Sequence, residues 1–308
     1  MPVTPAPAAL PPRRSGAPVC ERGGISVRAV RLADDPEFVE HVAELRSMAF
    51  GEGEPWNYGL DLQDRQAIQM VAFDASGPVG ALRLCLGDEL LAQAGFEGFY
   101  MNTGWELDPR SEAFFGTALE YGRFWVVRGH PRTRGIIDAL LTSIGAFSSA
   151  HPRYQSVFGT VALLDHTPES CRLVVDYLRR YHLPDVRWVR PRRPFEPDTS
   201  APPPPASSLP PRRRAFRLLV QQQRKADPDH PLPALLHLYL RQGAQMLGDV
   251  AWDTSGRKLL IPLYVSMATF QDFVARLRGH SGASSPSAEP GPEPDLAGRP
   301  WSSDDELL

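Results

Sequence analysis

Glu120 and Arg123 stand at the head of Leu119 to Leu141 (LEYGRFWVVRGHPRTRGIIDALL), where residue type and spacing in this 308-residue chain point most directly to chemistry. A carboxylate and a guanidinium three apart point to opposite faces of a regular strand, and a bulge would bring both toward one site. Tyr121, Phe124, Trp125, Val126 and Val127 are β-branched or aromatic, so the stretch starts as a strand. Gly129-His130-Pro131 breaks it, because proline has no N–H to give a sheet and glycine permits a turn. After Arg132-Thr133-Arg134-Gly135, the residues Ile136, Ile137, Leu140, Leu141, Ile144 and Phe147 recur at helical spacing. A strand, a glycine-containing loop and a helix N-terminus form an anion-binding arrangement, with free N–H groups and the positive helix end facing whatever docks. A second polar group lies upstream. The loop GEGEPWNYGLDLQDR carries Trp56, Tyr58, Asp61 and Asp64.

The elements that must position these groups read as an alternation of strands and helices. ISVRAVRL predicts a strand from Ile25, and Asp34-Asp35-Pro36 opens a helix with Phe38, Val39, Val42, Leu45 and Phe50 on its apolar face. Gln69–Phe73 and Val79–Leu86 read as a β-hairpin, followed by a short helix at Leu90–Gly95. Ser156–Leu164 reads as a strand, Pro168–Tyr181 as a helix and Val186–Val189 as a further strand. Pro231–Leu247 is expected to be helical, Leu259–Val265 a strand and Phe270–Leu277 a last helix. The order suits an α/β or α+β domain with one central mixed twisted sheet and helices on both faces. Residues 1–24 are expected to be a disordered Pro/Ala-rich N-terminus, 25–190 the main domain, and 191–230 a Pro/Arg-rich linker or insert. Residues 231–278 would complete the domain, and 279–308 would be a disordered tail.

Composition narrows the class. A net charge of −3 gives no bulk electrostatic case for nucleic acid. Nearly all cations are arginine; only Lys225 and Lys258 are lysines. Cys20, Cys85 and Cys171 have no short spacing, so neither a zinc pattern nor a disulfide framework is expected, and a reducing cytosol is the expected compartment. His130, His151 and His166 lack metal-ligand spacing and read as surface or loop histidines, so no metal is assigned. No apolar run approaches the ~20 residues that span a bilayer. Arg212-Arg213-Arg214 would attract anionic lipid or nucleic acid, or simply be solvated, so the peripheral membrane contact stays open.

The order of motifs resembles the acyl-carrier-protein-dependent branch of the GNAT acyltransferases. Arg46, Phe50, Trp56, Asp61, Asp64, Arg83, Glu120, Arg123 and Phe124 resemble the pattern of the acyl-homoserine lactone synthases, with Gly122 in place of a serine. The chain also resembles the hemolysin-like family that contains ornithine–acyl carrier protein N-acyltransferase. That likeness rests on Glu120-Tyr121-Gly122-Arg123, Gly95-Phe96-Glu97-Gly98-Phe99-Tyr100, Phe158-Gly159 and a late segment. The late segment comprises Leu232-Pro233-Ala234-Leu235-Leu236, Tyr239-Leu240-Arg241-Gln242-Gly243-Ala244 and Ala251-Trp252-Asp253, and it tips the balance to the ornithine-type family. The likeness covers about 25–190 and 231–266. Asp165-His166, where a more glycine-rich run is expected, and the Pro-rich insert at 201–211 depart from it.

The resemblance implies a GNAT-like fold and transfer of a long-chain acyl group from a thioester to an amino-acid amine, giving a lyso-aminolipid. The co-substrate would be acyl carrier protein, through its 4'-phosphopantetheine thioester, or acyl-coenzyme A, with no resident cofactor. The pantetheine arm would lie between strands 119–127 and 156–163, against Phe124, Val126 and Phe158. The loop at Arg132, Arg134 and Gly135 would meet donor phosphate; Ile137 stands where the superfamily has a second small residue. Glu120 becomes the candidate general base, against a structural ion pair or a solvated carboxylate. Arg123 would orient Glu120 or contact donor phosphate. Arg46, Trp56, Asp61, Asp64 and Arg83 would bind the acceptor or close the loop over it through ion pairs, against a solvated acidic loop. Two other readings remain. One is an N-acyl amino acid or lactone signal synthase. The other is a non-catalytic domain that binds carrier protein or another partner.

Overall fold

The computed structural model describes residues 18–50, 60–196, 211–253 and 255–280. In chain order the strands are β1 (Cys20–Arg22), β2 (Ile25–Arg31), β3 (Ile68–Asp74), β4 (Gly77–Leu86), β5 (Trp105–Leu107), β6 (Ala118–Val126), β7 (Ser156–Leu164), β8 (Val189–Pro191), β9 (Gln245–Met246), β10 (Ala251–Trp252) and β11 (Lys258–Ser266). The helices are α1 (Pro36–Phe50), α2 (Gly87–Ala94), α3 (Glu112–Gly116), α4 (Thr133–Ala150), α5 (Pro168–Tyr181), α6 (Arg212–Ala226), α7 (Ala234–Arg241) and α8 (Met267–His280). The chain is thus a mixed α/β protein, and none of the described helices is long and apolar enough to cross a membrane. Two compact units divide it, with the boundary falling inside β6 after Glu120.

The first unit holds the chain up to Leu86, Tyr121–Arg153 and the stretch from Val274. Antiparallel pairing joins β1 to β2, β2 to β3 and β3 to β4. Asp35 caps α1 by accepting from the Phe38 N–H at 3.2 Å, satisfying one donor that the helix itself leaves open. Val42 of α1 is buried against Val71, Phe73, Ala81 and Trp125, with Phe38 and Leu45 packed alongside. Ala81 therefore faces α1. A Cβ on its neighbour Gly80 would meet Ile136 of α4 at 3.0 Å. Successive strand residues point to opposite faces, so α1 and α4 cover the two sides of this unit's strands, as the sequence leads one to expect.

The second unit holds Gly87–Glu120 and Tyr154–Phe273. β7 pairs antiparallel with all of β11, from Ser156↔Ser266 to Leu164↔Lys258, while β6 pairs with it in parallel. The sheet is mixed for that reason. β5 and β8 form a separate two-stranded ladder. Phe99, Phe114, Phe115 and Phe158 interlock with ring centroids 5.2–6.4 Å apart, and Trp188 stacks on Phe114 at 3.9 Å.

Several boundaries differ from the sequence reading. Described structure begins before Ile25, because β1 hydrogen-bonds to β2. The strand read at 186–189 is β8, starting at Val189. Residues 212–226 are not linker but α6. Its apolar signal, Ala215 and Leu219 with Gln223, is a narrow i, i+4, i+8 stripe masked by arginines, and it becomes stable by packing on α5. The helix expected to reach Leu247 ends at Arg241, because Gly243 takes φ 84° and Gln245–Met246 pairs with β11. α8 extends beyond Phe270–Leu277 at both ends. Most of residues 1–24, the Pro-rich 201–210 and the tail after 280 lie outside the described residues.

Gly87 opens α2 where a Cβ would lie inside the van der Waals shell of the Phe115 carbonyl oxygen. Gly87→Ala is expected to destabilise the protein by about 3 kcal/mol through this overpacking. Gly135→Ala, in α4 with nothing within 4 Å of the added carbon, is expected to stabilise it by about 0.5 kcal/mol through helix propensity. Denaturant midpoints of the two variants measure the contrast.

Candidate active site

Asp64 is fully buried, at 0% exposure, and its carboxylate is held by side chains from three other elements of the first unit and by one amide of its own loop. Arg46 of α1 grips it in bidentate fashion, Nη1 to Oδ1 at 3.1 Å and Nη2 to Oδ2 at 2.8 Å. Gln69 of β3 donates from Nε2 at 2.9 Å, and the Asp61 N–H donates at 2.9 Å. Arg83 of β4 lies 3.4 Å away. Burial opposes ionisation of Asp64. The Arg46 hydrogen bonds, the charges of Arg83 and Arg46 and the Asp61 amide outweigh it and hold the carboxyl well below the usual range.

Asp61 closes the second ring of this network. It accepts from the Asp64 N–H at 3.0 Å, is hydrogen-bonded by Arg83, and takes Nε and Nη2 of Arg123 at 3.2 and 2.8 Å. Arg46, Asp64 and Arg83 are walls of an ion network and are not open to a ligand. Asp61 and Arg123 retain 23% and 19% exposure and are the members that can meet one. The acidic loop is therefore not simply solvated, and Arg123 is committed to Asp61. Arg123 adopts φ 51°, in the left-handed region that favours glycine, so β6 departs from regular alternation there. Trp56, the remaining acceptor candidate, lies outside the described residues.

In the second unit Glu120 is 5% exposed. Its Oε2 accepts from the Tyr100 N–H at 2.9 Å and its Oε1 from the Met101 N–H at 2.8 Å. These two amides open the 3-10 turn Tyr100–Thr103, which follows Phe99 without a side-chain cap of its own. The carboxylate supplies the missing cap from a distant strand. The sequence reading missed this pair of donors, although it singled out Gly95-Phe96-Glu97-Gly98-Phe99-Tyr100. An uncapped turn following that motif was the available signal.

Phe158 is fully buried in the phenylalanine cluster, while Phe124 and Val126 are half-buried. β6 and β7 pair only from Ala118↔Ser156 to Glu120↔Phe158. Beyond Phe158 no strand is paired to that edge of β7 among the described residues, although its other edge is paired to its end.

The loop before α4 is tied back onto its own unit. Asp74 accepts from Arg132 Nη2 at 2.9 Å, from Ser76 at its N–H and hydroxyl, and lies 3.1 Å from His130 Nε2. Arg132 Nη1 also donates to the Gly23 carbonyl at 3.0 Å. His130 is therefore an internal tie and not a loose surface histidine. Arg134 is exposed, and space around Gly135 is open. Burial opposes ionisation of Asp74, but the Ser76, Arg132 and His130 hydrogen bonds win and hold its carboxyl down at about 2.

No protein-family model matches the chain, and no curated protein matches it. Among solved structures it is similar to the coenzyme A-dependent acyl-homoserine lactone synthase BjaI, at 14% identity over 88% of this chain and 96% of that one, with a TM-score of 0.44. It is similar to the acyl-homoserine lactone synthase LasI at 12% identity, over 79% and 90% of the two chains, with a TM-score of 0.38. The spermidine/spermine N-acetyltransferase SpeG from Vibrio cholerae aligns at 9% identity over 82% and 99%, with a TM-score of 0.38.

Asp64→Asn removes the charge that Arg46 faces in a buried site. A loss of about 3–5 kcal/mol is expected, and a joint Arg46→Met/Asp64→Leu replacement is expected to lose less, as read by denaturant unfolding. Asp74 has a depressed folded-state pKa, so its stabilisation is complete above about pH 4, the unfolded value, and is lost as pH falls toward about 2. Stability measured across that window is expected to fall, and Asp74→Asn is expected to flatten the fall.

Proposed function

We propose that this chain is an N-acyltransferase that moves a long-chain acyl group from a carrier-protein thioester to the amine of an ornithine-like amino acid. The observation that carries the reading is the pairing of β7, which stops after Glu120↔Phe158 and leaves a backbone edge beside the aromatic cluster. An extended, amide-bearing pantetheine arm is the kind of ligand that adds along such an edge by backbone hydrogen bonds. Phe158 and its neighbours supply apolar surface suited to a fatty chain.

The reaction has the acceptor nitrogen attack the thioester carbonyl carbon. The new C–N bond forms, the C–S bond breaks, and the sulfur leaves as a thiol once it gains a proton. Glu120 takes the proton lost by the amine, directly or through a water. Its two backbone hydrogen bonds hold the carboxylate in place. Within the first unit, Asp61 and Arg123 are the part-exposed members of the ion network, and their charges suit the ammonium and carboxylate groups of an amino acid. Arg132 is held by Asp74 and the Gly23 carbonyl, and Arg134, exposed at the start of α4, is the cation assigned to donor phosphate.

Lipid mass spectrometry of cells expressing the chain, against an empty vector, is expected to reveal a new long-chain N-acyl amino acid. With purified acyl carrier protein as donor, Glu120→Gln is expected to lower turnover by at least about a hundredfold. Asp61→Asn is expected to act mainly on KM for the amine. Full turnover by a folded Glu120→Gln variant would remove Glu120 as the base. An unchanged lipid profile, with no turnover in vitro, would favour a domain that binds carrier protein without catalysis.

A further inference from the structure

The outward side of α6 has no place in the acyl-transfer reading. Its sequence, RRRAFRLLVQQQRKA, holds six cations and no acid. Ala215, Leu219 and Gln223 turn inward, where Phe216 meets Tyr177 of α5 and Gln223 donates to the Ser170 hydroxyl at 3.2 Å. Arg212, Arg213, Arg214, Arg217, Arg224 and Lys225 are all exposed. Among the described residues none of them forms a salt bridge. Other exposed arginines of the same unit are neutralised: Arg110 by Asp108, Arg190 by Glu106 and Arg257 by Asp165. The acids that follow the helix do not compensate within it. Asp227 is turned toward Thr167 and His230, and Asp229 lies beyond its end.

We propose that this face of α6 docks the protein on an anionic lipid surface. An acidic protein would be the competing occupant, and the composition of the face argues against it. Protein interfaces have an apolar centre from which charge is depleted. Here a single large apolar side chain, Leu218 at 41% exposure, sits among the cations. That is too little apolar surface for a complementary protein core. A lipid headgroup layer needs no shape complementarity, attracts every Lys or Arg within a Debye length, and admits one leucine among the headgroups. The inference stands on α6 alone and does not depend on the acyl-transfer reading.

Sedimentation of the full chain with vesicles tests it. Vesicles of phosphatidylcholine with about one-third phosphatidylglycerol are expected to bind the protein at about 0.1 M salt and release it at about 0.5 M, and pure phosphatidylcholine vesicles are not expected to bind it. Arg213→Gln/Arg217→Gln is expected to weaken binding about twenty-fivefold, by roughly fivefold per cation. Arg128→Gln/Arg187→Gln removes the same charge from exposed positions off α6 and is expected to bind like the wild type. Both pairs are surface changes, and thermal midpoints confirm that each variant is folded. Equal weakening by the two pairs overturns the assignment to α6. No binding to anionic vesicles, or binding to acidic acyl carrier protein that the α6 pair alone abolishes while vesicle binding persists, overturns the lipid surface.

Discussion

A carboxylate placed where no water reaches it must be surrounded by donors, and Asp64 imposes that condition on most of the first unit. Arg46 fixes the inner side of α1, Gln69 fixes β3, and Arg83 fixes β4. The loop at Asp61 is drawn into the same network by two reciprocal backbone bonds. Arg123 completes it from β6. Five stretches of chain are thus held by one buried charge and its neighbour. Only the last links, Asp61 and Arg123, reach solvent. The arrangement offers a ligand a carboxylate and a guanidinium whose positions are fixed from behind.

β6 carries two functions in six residues. Glu120, its third residue, spends both oxygens on the orphan amides of the Tyr100–Thr103 turn and is therefore a structural cap as well as a candidate base. Arg123, its sixth, takes a left-handed conformation at a cost of about 1–2 kcal/mol, which its bonds to Asp61 offset. A bulge in this strand was an option at the level of sequence, and the left-handed residue is the departure that the chain adopts.

The two arginine-rich stretches illustrate how environment divides one residue type into different roles. Arg132 is occupied by Asp74 and a backbone carbonyl, whereas α6 buries a narrow stripe and leaves all its cations outward. Composition alone describes the two alike. The difference comes from whether folding delivers a carboxylate to the guanidinium.

Sequence by itself determined the elements whose side-chain period matched one buried face. β7 at Ser156–Leu164 and α5 at Pro168–Tyr181 appear at the boundaries read from the side-chain pattern. The residues of the ion network were legible too, as types at known positions in a recognisable order. Which of them stay buried was decided only by tertiary structure, because Asp61 and Asp64 are three apart in one loop yet differ in whether Arg46 can reach them. The same holds for Glu120, whose partners at Tyr100 and Met101 are backbone amides that carry no residue signature. It holds again for α6, where a weak stripe needs the surface of α5 before it can bury anything. Local pattern fixes an element when the element's own periodicity supplies the contrast between inside and outside. Burial of charge and capping by distant carboxylates depend on which strands the fold brings together, and that information resides in the packing.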